Sequence, residues 1–182
     1  EAHRPAADAH LSGRITIEFT KPGTYSYVLS EVNNGIPGVD YDTTSYNVTA
    51  TVKDLGNGTL EVTWDMPQAV DGGVGFKNTY TAASTSIAFN AAKVLEGREL
   101  AEGAFTFELR ENGTVIGAAT NAADGSVSFE ELVYNEPGEH DYQIVEVAGD
   151  ADNVTYDATV YTVHVSVTDD PSTGRLSVAW AY

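Results

Sequence analysis

Pro137-Gly138, followed by Tyr142-Gln-Ile-Val-Glu146-Val147, decides the fold, because the chain has already used the pattern once. Pro22-Gly23, followed by Tyr27-Val-Leu-Ser-Glu31-Val32, carries the same dipeptide and the same glutamate. Pro22 to Pro137 and Glu31 to Glu146 are each 115 residues apart. The same offset joins Tyr41-Asp42 to Tyr156-Asp157, Tyr46 to Tyr161 and Val52 to Val167. One inserted residue later, Leu60 and Trp64 meet Leu176 and Trp180. Upstream, Gly13-Arg-Ile-Thr-Ile17 resembles Gly125-Ser-Val-Ser-Phe129. A period of this length is one ordinary domain, so the chain is a tandem array of a single module.

Outward from that stretch the period is two nearly everywhere. Tyr46-Asn-Val-Thr-Ala-Thr-Val52, Leu60-Glu-Val-Thr-Trp64 and Tyr161-Thr-Val-His-Val-Ser-Val167 alternate and are rich in β-branched and aromatic residues, as half-buried strands are. Gly56-Asn57-Gly58, Asn112-Gly113, Asp124-Gly125 and Asp170-Pro171 separate them as turns. The one candidate for a helix, Glu96 to Glu102, is short and bounded by glycine. The expected class is all-β, with tandem sandwiches of Ig-like type.

The copies are out of phase with the ends of the sequence given. The second has Ile87–Asp124 ahead of its Gly125 strand, where the first has only Glu1–Ser12. The first continues past Trp64 to Val74-Gly-Phe-Lys-Asn78-Thr-Tyr80, whereas the second reaches Tyr182 two residues after Trp180. The expected organisation is therefore residues 1–80 as the later part of one module and 81–86 as linker. Residues 87–182 form a second module without its last strand, so both modules are incomplete.

Composition narrows the function. Among 182 residues, 27 Asp and Glu against 9 Lys and Arg give a formal charge of −18, with no cysteine. A chain so acidic is not expected to bind nucleic acid. Without cysteine there is no disulfide framework, thiolate metal site or thiol nucleophile. No apolar run is long enough to span a bilayer as a helix, so membrane insertion is not expected. Neither a metal nor a cofactor is expected. His3, His10, His140 and His164 lack ligand spacing, and the acidic loop at Asp150, Asp152, Asn153 and Asp157 lacks that of an EF-hand. No nucleophile elbow or phosphate loop appears.

The informative residues are polar ones in phase with apolar neighbours. Lys93 shares parity with Ile87, Phe89, Ala91 and Leu95; Glu146 shares it with Tyr142 and Ile144; Glu31 with Tyr25, Tyr27 and Leu29; Asn78 with Val74, Phe76 and Tyr80. An inward lysine, glutamate or asparagine is costly unless partnered, and burial disfavours charge on an amine and a carboxyl alike.

Ala91-Ala-Lys93-Val-Leu-Glu-Gly-Arg98, Phe105-Thr-Phe-Glu-Leu109, Tyr142-x-Ile-x-Glu146 and Phe76-Lys-Asn78-Thr-Tyr80 together resemble streptococcal-type pilin isopeptide-linkage domains. These are Ig-like sandwiches of the collagen-adhesin B type. The resemblance runs essentially from Gly13 to Tyr182. It implies that a first-strand lysine attacks the side-chain amide of a last-strand asparagine, with a glutamate shuttling protons and ammonia leaving. Carried over, Lys93 is the nucleophile and Glu146 the shuttle of the second module, and Asn78 is the acceptor and Glu31 the shuttle of the first. The first module has no matching lysine in Glu1–Ser12 and the second no matching asparagine before Tyr182, so neither owns a complete triad.

The function so implied is a structural stalk or spacer repeat of a Gram-positive surface adhesin or pilus-like protein, extracellular and attached to the cell wall. Its partners would be neighbouring modules, with strand exchange between chains as a further expectation. The alternative is an adhesin module gripping a host protein or glycan through its loops. An enzyme is not expected, beyond single-turnover self-crosslinking.

Overall fold

The computed structural model describes residues 16–66 and 73–182. Among these the chain forms fourteen strands and no helix. They are β1 (Gly23–Ser30), β2 (Val39–Asp40), β3 (Ser45–Asp54), β4 (Leu60–Asp65), β5 (Thr79–Tyr80), β6 (Thr85–Ile87) and β7 (Asn90–Ala92), then β8 (Thr106–Glu111), β9 (Thr114–Thr120), β10 (Ser126–Ser128), β11 (Leu132–Tyr134), β12 (Gly138–Glu146), β13 (Val160–Asp170) and β14 (Arg175–Ala181). The Gly13–Ile17 segment lies partly outside the described residues, and its described end, Thr16–Ile17, is not in a strand. The chain divides into two compact units, residues 1–32 with 42–77, and residues 33–41 with 78–182.

The first unit is built on the antiparallel sheet β1-β3-β4. Its alternation buries Val48, Ala50 and Val52 on one face. Phe19, Tyr25, Tyr27 and Trp64 form an aromatic cluster with ring centroids 4.9–6.2 Å apart.

The second unit carries the five-stranded sheet β14-β13-β12-β8-β9, together with two short ladders, β7 with β10 and β6 with β11. Phe89, Phe105, Phe107, Leu109, Val127, Phe129, Tyr142, Ile144, Val163, Val165, Val167 and Leu176 make one buried cluster. Asn112 (φ 48°) and Gly113 (φ 79°) close the β8–β9 hairpin, both in the left-handed region that such two-residue turns require.

The repeat is a repeat of pairing register. Tyr27 faces Val48 as Tyr142 faces Val163, and Ala50 faces Trp64 as Val165 faces Trp180. Strands β1-β3-β4 are thus the counterparts of β12-β13-β14. The fold is all-β, with multiple sheets, as the period of two required.

Two local readings come out differently. The run through Ile87 and Lys93 is two strands, because β6 pairs with β11 and β7 with β10, and Ala88–Phe89 belongs to neither. The alternation through Val74, Phe76, Asn78 and Tyr80 is not a buried face either. Only Thr79–Tyr80 pairs, with β2, and Phe76, Asn78 and Tyr80 are exposed. A two-residue ladder is too short to impose parity on the residues before it.

Residues 33–41 fold with the second unit because the Pro37-Gly38 turn seats on the β13–β14 turn. A Cβ added to Gly174 (φ +66°) would lie 2.6 Å from both Gly38 N and Pro37 C. Ala83 N–H donates to the Gly174 carbonyl at 2.8 Å, Thr81 N–H to that of Gly38 at 2.9 Å, and the Tyr80 hydroxyl to Asp169 at 2.7 Å. Gly58 (φ +81°), the counterpart of Gly174 in the first copy, has open space around it. Gly174→Ala is therefore expected to cost about 3 kcal/mol, backbone strain and overlap together, against about 1 kcal/mol for Gly58→Ala. Urea unfolding of the two variants measures the difference.

Candidate functional site: a buried lysine–glutamate pair

Lys93 follows β7, and its backbone N–H donates to the Gly125 carbonyl at 2.7 Å. Gly125 has φ +86°, and a Cβ built there would fall on the Lys93 carbonyl oxygen, so only glycine lets the two backbones meet. The parity of the strand then carries the lysine inward. Its Nζ donates to both oxygens of Glu146, at 2.9 and 2.8 Å, from the last residue of β12. The side chains retain only 9% and 5% of their exposure.

The pair rests on apolar ground. Lys93 Nζ lies 4.2 Å from the centroid of the Phe105 ring, close enough for cation–π attraction. Asn121, 1% exposed, holds Phe105 in place. Its Oδ1 accepts from Phe105 N–H at 2.8 Å, and its Nδ2 donates to the carbonyls of Ala101 and Ala122 at 2.9 and 3.0 Å. Tyr156 packs against Phe105, centroids 5.5 Å apart. Above the pair opens a cleft of about 930 Å³ lined by the Asn90–Glu96 segment, Phe107, Glu146, the Asn153–Thr159 loop and Tyr182.

Two of the four residues singled out in the sequence are therefore together, Lys93 and Glu146. Glu31, half-buried just past β1, belongs to the first unit. Asn78 is exposed, immediately ahead of β5, and belongs with the second. Sequence reasoning missed Asn121, Gly125 and Phe105 as supports of the pair. The Asp124-Gly125 turn and the Phe105-x-Phe107 alternation were visible, but nothing in them says which backbone or ring a lysine will meet.

Among the described residues no group of histidines and acids has the arrangement to hold a metal ion. A second polar cluster lies at the edge of the core. The Tyr134 hydroxyl donates to that of Tyr142 at 2.9 Å, and His140 Nδ1 lies 2.8 Å from Glu111. Burial raises both tyrosines above the usual phenol range. On the exposed face, His164 contacts Asp141 at 2.8 Å and Glu139 at 3.2 Å. Hydrogen bonding to Asp141 holds its imidazole above the ordinary value of 6.5.

Chemically, the pair sets an amine against a carboxyl at hydrogen-bond distance beneath a cleft. Removing one partner strands the other. Lys93→Met is expected to cost about 3–5 kcal/mol in denaturant unfolding. Adding Glu146→Leu to that variant should recover most of the loss, since no buried charge then remains. The His164 imidazolium should stabilise the fold fully below pH 6.5, and this contribution should fade as the pH climbs through the raised folded-state value. A melting-temperature profile flatter above that pH in His164→Gln than in the parent chain checks it.

Comparison with curated proteins gives no match. Two stretches, residues 7–81 and 89–182, match the family described as FctA, Spy0128-like isopeptide containing domain. Those matches cover most of the sequence in two successive copies, and the chain belongs to the FctA family of Spy0128-like isopeptide-containing domains.

Proposed function

We propose that this chain is a stretch of stalk from a bacterial surface adhesin or pilus-like protein. Its modules, residues 1–80 and 87–182 joined by 81–86, are drawn tight by amide bonds between lysine and asparagine side chains. The observation that carries the reading is the Lys93–Glu146 pair, buried on Phe105 and open on one side to a cleft. Membership of a family of structural pilin-type modules supports it, and so does the absence of cysteine, which leaves amides as the available side-chain crosslink. The setting is extracellular, at the Gram-positive cell wall.

The chemistry is a single turnover, and no enzyme is needed. Glu146 takes a proton from the Lys93 ammonium, which becomes a neutral nucleophile. The protonated carboxyl then donates to the side-chain oxygen of an asparagine on a strand lying in the cleft. Nζ attacks Cγ, the C–N bond to the amide nitrogen breaks, and Glu146 relays the amine proton so that ammonia leaves. One amide and one amine thus become one amide and ammonia. Holding the groups in a packed core supplies the proximity that free side chains lack. In the first module Glu31 is the shuttle and Asn78 the acceptor, for a lysine on that module's own first strand in a longer array or, alternatively, on a strand from a neighbouring chain.

The Val74–Tyr80 segment holds the only copy of the Phe-Lys-Asn-Thr-Tyr pattern in the sequence, so a peptide of that sequence is the natural probe. Incubated with the chain, it should raise the intact mass by the peptide less one ammonia. The adduct should vanish with Lys93→Arg, with Glu146→Gln, and with alanine in place of the peptide's asparagine. Absence of any adduct with the parent chain, with the Lys93–Glu146 pair still intact by stability measurement, rejects crosslinking at this site.

A further inference from the structure

In the first copy, the segment leading to the acceptor asparagine is held by its backbone. Lys77, the residue before Asn78, donates its N–H to Asp42 Oδ2 at 2.8 Å. Two residues earlier, the Gly75 carbonyl accepts from the Tyr46 hydroxyl at 2.6 Å. The Phe76 ring stands edge-on to the Tyr46 ring, with centroids 5.3 Å apart and planes at 78°. Successive residues of an extended chain turn their backbone groups to opposite sides, so a one-residue slip would lose both bonds and turn the asparagine with them. Asp42 and Tyr46 therefore fix the register of this segment, from within the same compact unit.

The second copy has the same two residues in the same place. At the 115-residue offset Asp42, Thr44 and Tyr46 become Asp157, Thr159 and Tyr161. The aspartates are oriented alike: Thr44 N–H donates to Asp42 Oδ1 at 2.8 Å, and Thr159 N–H to Asp157 Oδ1 at 2.9 Å. The Thr159 hydroxyl, together with that N–H, holds the Asp157 carboxyl below the usual carboxylate range, so it stays an ionised acceptor at neutral pH. The tyrosines are pinned alike to the strand that carries the shuttle. Tyr46 faces Leu29, two residues before Glu31, and Tyr161 faces Ile144, two residues before Glu146. Asp157, Thr159 and Tyr161 all line the cleft above Lys93 and Glu146.

We propose that Asp157 and Tyr161 are the positioning residues of the crosslink in the second module. Asp157 accepts the N–H of the residue before the acceptor asparagine, and the Tyr161 hydroxyl donates to the carbonyl of the residue two before that one. The assignment rests on the crosslinking reading, because it takes the chain lying in the cleft to be the asparagine-bearing segment. Neither residue meets the reacting atoms; what they supply is register. Packing fixes Lys93 and Glu146, so the peptide group that meets Asp157 decides which side chain is held opposite them. Two backbone contacts would accept any sequence. The Tyr161 ring adds selectivity, favouring an aromatic residue two before the asparagine, as Phe76 stands on Tyr46.

Two peptides of the 74–80 sequence test this, one unaltered and one with alanine in place of its asparagine. The first is followed by the second-order rate of adduct formation in intact mass, the second by fluorescence anisotropy of the labelled peptide. Asp157→Ala should lower rate and affinity about tenfold, the scale of a hydrogen bond to a charged group, and Tyr161→Phe roughly threefold. Asp157→Asn, which keeps an acceptor oxygen, should lose less than Asp157→Ala. Methylating the backbone nitrogen of the peptide's lysine should cost the parent chain about tenfold and Asp157→Ala much less, a non-additivity that a general loss of structure would not give. Both side chains are exposed, so the variants should fold, and their unfolding midpoints check that. Binding that depends on Asp157 with no adduct from the unaltered peptide supports the positioning role and rejects the crosslinking reading. Binding or reaction indifferent to Asp157→Ala, losses that simply add, or a peptide that neither binds nor reacts overturns the proposal.

Discussion

A lysine and a glutamate inside an all-β core are the constraint from which the second unit is organised. An ion pair removed from water recovers its desolvation cost only where geometry and packing leave neither group uncompensated. The Lys93 ammonium therefore faces both oxygens of Glu146 across the sandwich and lies over the Phe105 ring. Each of those requirements passes to a further residue. Phe105 keeps its place because Asn121 binds its backbone, and Lys93 keeps its place because Gly125 brings a carbonyl to its N–H. The buried asparagine and the left-handed glycine are thus consequences of placing one charge pair in the core.

Much of this was legible in the sequence, and the boundary of legibility is physical. A period of two reveals which face a residue occupies, so Lys93 and Glu146 could be put inside without coordinates. A repeat reveals which strands correspond, and the matched registers of β1-β3-β4 and β12-β13-β14 follow the 115-residue offset. Parity does not reveal where a ladder stops. Ala88–Phe89 interrupts an alternating run because its two halves pair with different strands, and that choice is made by partners more than 30 residues away. The segment before β5 alternates as well, yet it has only the two-residue β2 to pair with, and Asn78 ends exposed.

Family boundaries and physical boundaries also part company here. The family matches occupy residues 7–81 and 89–182, as a repeat in sequence should. The compact units instead assign residues 33–41 and 78–81 to the second body. Sequence similarity follows descent, residue by residue along the chain. Cohesion follows contacts, and here these are the close approach of Pro37-Gly38 to Gly174, the Thr81–Gly38 hydrogen bond and the Tyr80–Asp169 bond.

That mismatch has a mechanical meaning. If module and compact unit coincided, each could open without disturbing the next, and a string of them would be only as coherent as its linkers. Here the segment inherited from the first copy is held to the second by Pro37-Gly38 seated on Gly174 and by the Tyr80–Asp169 bond, and its backbone is tied through Val39–Asp40 to Thr79–Tyr80, so it cannot be released one side chain at a time. Residues 33–41 must therefore leave their seat when the second unit opens, although they are covalently part of the first module. A side-chain amide across a sandwich would tie the ends of one module. The seated turn acts on a different scale, because it makes the cooperative unit longer than the genetic one.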